Sequence, residues 1–86
     1  MRKYINVRMD GSDINIDVLK SSDDLRVGYG ACGWLDSDDL DDLDTPARLM
    51  TRQMTGSEDE EVIEKLVEAF EEILTRRSVG VNVNWA

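Results

Sequence analysis

Apolar and polar positions alternate from Tyr4 to Met9, with Ile5, Val7 and Met9 on one side and Tyr4, Asn6 and Arg8 on the other. A period of two is the mark of a half-buried strand. Asp10, Gly11, Ser12 and Asp13 are turn formers, and Ile14, Ile16 and Val18 then resume the alternation with Asn15 and Asp17 facing outward. Asp-Gly between two alternating runs predicts a β-hairpin. Further along the period changes. Val62, Ile63, Leu66, Val67, Phe70, Ile73 and Leu74 fall on one side of a helix, which the spacing predicts over Ser57 to Arg77. Ser57 and Glu60 have the spacing of a capping box, and Arg76 and Arg77 stand where the helix dipole favours cations. Val79, Val81, Val83 and Trp85 then alternate with Gly80, Asn82 and Asn84, which predicts a last strand. After a helix, such a strand lies parallel to one already in the sheet, through a right-handed crossover.

Between these segments the pattern is less regular. Leu25, Val27, Tyr29 and Ala31 line one face of a third strand that Gly28, Gly30 and Gly33 interrupt and that ends at Trp34 and Leu35. Six aspartates then crowd into the nine residues from Asp36 to Asp44, where Leu40 and Leu43 would anchor a turn of helix on the core. Thr45 and Pro46 suit an N-cap and first helical position, and Gly56 suits a stop, so 46–55 reads as a short helix. The alternation of Leu49, Thr51 and Gln53 with Met50, Arg52 and Met54 fits a strand equally well.

Together these segments predict a single α+β domain over 1–86. Its twisted, mainly antiparallel sheet of three or four strands would comprise the N-terminal hairpin and the C-terminal strand, with one long amphipathic helix packed on one face. Val62, Leu66, Phe70 and Ile73 would meet Ile5, Val7, Ile16, Val81 and Val83.

Charge sharpens the functional expectation. Nineteen acidic residues against ten basic ones give a net charge of -9. Such a chain is repelled by nucleic acid and by anionic membranes and is attracted to basic protein surfaces. The longest apolar runs fall far short of the roughly 20 residues that span a bilayer. Met1, Arg2 and Lys3 lead into an alternating stretch and not an apolar one, so a cytoplasmic location is expected. The bias of seven arginines over three lysines also accompanies adaptation to high salt.

Candidate chemistry is sparse. There is no histidine, and the single cysteine, Cys32, has no histidine to activate it. No enzyme, no cofactor and no metal centre is expected, and Cys32 reads as a buried small side chain. Gly28, Gly30 and Gly33 have the G-x-G-x-x-G spacing of a dinucleotide loop, but aspartates follow where phosphate would bind, so a glycine-rich bend is the better reading. The Asp run lacks a calcium loop's glycine and terminal glutamate, since Asp41 and Ala47 occupy those places.

The acidic residues themselves remain. Glu61, Glu64, Glu68 and Glu72 recur at helical spacing, where like charges disfavour the helix by a few tenths of a kcal/mol each. Carboxylates spaced about 5–6 Å apart between Cβ atoms approximate the interval between phosphates on a nucleic-acid strand. With Asp36, Asp38, Asp39, Asp41, Asp42 and Asp44, they are the expected partner-binding residues of an inhibitor that occupies the nucleic-acid site of a basic target. In size and charge the chain resembles the DNA mimics with which bacteriophages and mobile elements block restriction enzymes, CRISPR effectors or repair nucleases. That likeness is of type, without a shared motif. The competing expectations are an ordinary solvated helix face and a structural or adaptor subunit. An adaptor would bind through Met50 and Met54, through Trp34 with Tyr29, or through a C-terminal strand edge that pairs in a homodimer. Core packing accounts for the methionines and for Trp34 more simply.

Overall fold

The computed structural model describes residues 2–26, 30–76 and 82–85. The predicted hairpin is formed by β1 (Arg2–Asp10) and β2 (Asp13–Leu19), antiparallel and in the register Val7 opposite Ile16. Gly11 closes it with a left-handed φ of +64°, where a Cβ is disfavoured. Strand β3 (Ala31–Asp36) pairs antiparallel with the other side of β1, and β4 (Asn82–Trp85) pairs parallel with β2. The sheet is therefore mixed, in the order β3-β1-β2-β4.

Two helices, not one, cover the sheet. The ambiguous segment is helix α1 (Asp44–Thr55), because Ala47, Met50 and Thr51 form a buried helical face that Met54 extends. It starts earlier than the Thr45–Pro46 cap implied. Asp42 accepts from the Thr45 hydroxyl at 2.7 Å, the first helical bond runs from Ala47 N–H to the Leu43 carbonyl, and Pro46 lies in the first turn, where its missing donor is not needed. Gly56, at φ +78°, stops the helix as expected.

Helix α2 (Glu60–Thr75) is shorter than the predicted span. Its cap is Asp59, whose carboxylate accepts the Glu61 N–H at 3.0 Å. Ser57 is instead held at the junction between the helices, its N–H donating to Thr55 Oγ1. At the other end Arg76 adopts a left-handed φ of +59° and lays its guanidinium 4.1 Å from the Trp85 ring, so it is the C-cap and not part of the last turn. Arg77 lies outside the described residues.

Val62, Ile63, Leu66, Ala69, Phe70 and Ile73 of α2 share one core with Ile5, Val7, Ile16, Val18, Ala31 and Leu35 of the sheet, and Val83 packs at its edge. The expected contribution of Val81, like the strand positions Val27 and Tyr29 and the glycine Gly28, falls outside the described residues. Leu43 is buried, but Leu40 is exposed: only one of the two leucines reaches the core. On the opposite face of the sheet Asn6, expected in solvent, is 6% exposed. Its amide donates to the Asp24 carbonyl and accepts from the Arg26 N–H, fastening the 21–26 segment over the sheet.

No helix is long and apolar enough to cross a membrane among the described residues.

Candidate partner-binding surface

Strand β3 delivers the chain at Asp36 into a 3-10 turn, Ser37–Asp41, that carries three of the six aspartates of the run. Several of its carboxylates have local work. Asp36 pairs with Arg2 at 3.6 Å, and Asp39 accepts the Asp36 N–H at 2.7 Å. Asp42 receives the Thr45 hydroxyl. Asp44 opens α1 and accepts from Arg48 Nε at 2.6 Å, the i,i+4 pair of a helix surface. Arg48 reaches on to α2, with Nη1 2.9 Å from Glu60 and 3.9 Å from Glu58. Hydrogen bonds to Asp44 and then to Glu60 raise its pKa still further above the usual guanidinium range, so it is a permanent cation joining the two helices. The i,i+4 spacing of Asp44 and Arg48 is the sequence signal for this pair.

The remaining acids are differently placed. Asp38 and Asp41 are exposed, and neither has a partner among the described residues. The aspartate turn packs against α2, where Glu64 and Glu68 share an open cleft with Asp44 and Glu60 over a floor of Ile63 and Val67. Acids separated by some twenty positions in sequence thus meet on one face. Glu61 is exposed next to them, in the first turn, where a negative charge also favours the helix dipole. Glu72 departs from the expected row: it is half-buried, and its Oε2 is withdrawn from solvent with no hydrogen-bond partner among the described residues. It is poorly placed to meet a target.

No protein-family model, curated protein or solved structure matches this chain.

Two glycines of the apparent dinucleotide motif, Gly30 and Gly33, have packing reasons instead. Gly30 takes φ +137° against the Val7 carbonyl, and a Cβ on Gly33 would lie 2.9 Å from Met50 Cε. Cys32 is half-buried on the sheet face away from the helices, not a core residue. Among the described residues no group of three or more acidic or cysteine side chains is arranged to hold a metal ion.

The apolar candidates also sort differently from expectation. Met50 is buried and Met54 partly so, which fits the core reading. Trp34 is 50% exposed, against that reading, with the Arg2 guanidinium 5.0 Å from its ring centre. Leu49, at 54%, was missed because the helix that presents it was not distinguished from a strand.

Proposed function

We propose that this protein binds a basic surface on another protein, in place of the nucleic acid which that surface ordinarily holds. The observation that carries the reading is the meeting of Asp44, the last of the aspartate run, with Glu60, Glu64 and Glu68 of α2 around one cleft, on a helix against which the aspartate turn also packs. Internal cations neutralise only part of it: Arg48 engages Asp44 and Glu60 of the cleft and Glu58 beside them, leaving Asp38, Asp41, Glu64 and Glu68 to face outward. Charges so arranged accelerate association with a basic partner and repel nucleic acid itself. Neither catalysis nor a cofactor has a part in this mechanism.

The test removes charge without removing caps. Asp38→Asn, Asp41→Asn, Glu64→Gln and Glu68→Gln together change the net charge from -9 to -5, by four neutralised carboxylates. Asp39 and Asp42 are left alone because both accept hydrogen bonds that shape the turn. The wild-type protein, immobilised and exposed to nuclease-treated host lysate, is expected to retain a target that duplex DNA or RNA displaces. The quadruple variant is expected to keep its melting temperature and to lose at least about tenfold in affinity at moderate salt. Equal retention by the two proteins, or a target that nucleic acid cannot displace, would refute the reading.

A further inference from the structure

We propose that the free edge of β3 is a second interaction site, which takes up an extended basic segment of a partner protein as an added strand. This inference stands independently of nucleic-acid mimicry.

Strand β3 ends the sheet, and among the described residues no strand pairs with its outer side. Which backbone groups are free follows from the ladder. Asp36 directs its N–H away from β1 to the Asp39 carboxylate. In an antiparallel pair the N–H and C=O of one residue point the same way, and this direction alternates along the strand. Cys32 and Trp34 therefore present their donors and acceptors outward, with the Asp36 donor alone blocked by Asp39. A row of such groups is a template for another chain. At the sheet's other end, β4 spans Asn82–Trp85 among the described residues, a shorter template than β3.

Apolar surface flanks the β3 edge on both sides. Trp34 rises on the sheet face opposite the helices, with Arg2 against its ring, while Pro46 and Leu49 of α1 continue the apolar groove on the helical side. The half-exposed Trp34 and Leu49 leave contact area for alternate side chains of an added strand, one set to each face. Protection usually given to an edge, by lysine, proline or an inward charge, is lacking from Ala31 to Leu35.

Charge selects the occupant. Strand β3 ends at Asp36 and passes directly into the turn that carries Asp38 and Asp39, so lysines or arginines at that end of the incoming segment approach carboxylates as its central apolar residues meet Trp34 and Leu49. A second copy fits less well, since each copy carries a net charge of -9 and would bring its own aspartates to the edge.

The experiment uses a capped peptide of about eight residues, the length of an ordinary strand, with valines at its centre and lysines at both ends. Added to the isotope-labelled protein, it is expected to shift the amide signals of Cys32 and Trp34 and the Trp34 indole signal, and to slow hydrogen exchange of the two amides at least tenfold. Methylating the peptide's backbone nitrogens on one edge keeps its charge and side chains but removes donors; affinity is expected to fall at least tenfold. Leu49→Ser, at an exposed position, is expected to weaken binding severalfold without altering stability. Equal binding of the methylated peptide, signal changes confined to Glu64 and Glu68, or no binding at millimolar peptide would each overturn the proposal. So would concentration-dependent changes at Cys32 and Trp34 without peptide, which would assign the edge to a second copy.

Discussion

Phe70→Ala is expected to destabilise the protein by about 3–5 kcal/mol, the usual effect of removing a buried aromatic ring. Phe70 has no exposed surface and lies in the core between α2 and the sheet, among Leu66, Ile73, Ile5 and Ile16. The loss combines the apolar contacts of the ring with the cavity left behind, which the fixed strands β1 and β2 cannot close. A chain of this length has a total stability of roughly 4–13 kcal/mol, so the variant should be substantially unfolded in mild urea. Val67→Ala, on the same helix but only partly buried, provides the comparison and should lose about 1 kcal/mol. Urea titration followed by circular dichroism measures both. A loss below 1 kcal/mol for Phe70→Ala would contradict the packing of α2 onto the sheet.

Gly30→Ala should have the second largest effect, for a reason of backbone and not of burial. At φ +137° a side chain is strained in any surroundings, and here the added Cβ is driven into the carbonyl oxygen of Val7. That oxygen belongs to β1, so no side-chain rotation relieves the contact. Either β3 separates from β1 at Ala31 or the whole edge shifts, and a loss of about 3 kcal/mol is expected. Gly11→Ala separates the two causes. It also carries a positive φ, +64°, but its Cβ would meet nothing within 4 Å, so only the conformational penalty of about 1–2 kcal/mol should appear. Equal midpoints for the two variants in urea would show that the Val7 carbonyl is not in the way.

The hairpin and α2 were legible because their periods are clean and local: Met9, Asp10, Asp13 and Ile14 pair across the turn as the alternation requires. The long-range details were less accessible. Helix α1 is ambiguous in sequence because Leu49, Thr51 and Gln53 alternate with a period of two, whereas the face that packs is Ala47, Met50, Thr51 and Met54, spaced three, one and three. Asp59 displaced Ser57 as cap because a carboxylate immediately before the first helical turn reaches the Glu61 N–H directly. For the candidate surface, the sequence identified the acids but not their allocation. Only the fold separates Asp39, Asp42 and Asp44, engaged with neighbours, from Asp38 and Asp41, and it removes Glu72 from the exposed row. The exposed tryptophan was misjudged for a related reason, since strand alternation gives Trp34 a side but cannot show that this side of β3 is uncovered.

The parallel pairing of β4 with β2 carries a consequence for the order of assembly. The Asn84 amide donates to Asp17 across 67 positions of chain, whereas the β1–β2 turn closes over two residues. Loop-closure entropy weighs against the first contact and hardly at all against the second. Hairpins form in microseconds, and helices in comparable or shorter times, so the first three strands and both helices can assemble before β4 finds its place. Among the described residues of β4 three of four are exposed, so Asn82–Trp85 contributes little to the core that precedes it. It is therefore expected to be the last strand to join the folding sheet and the first to leave it, with a local opening that leaves the acidic face folded.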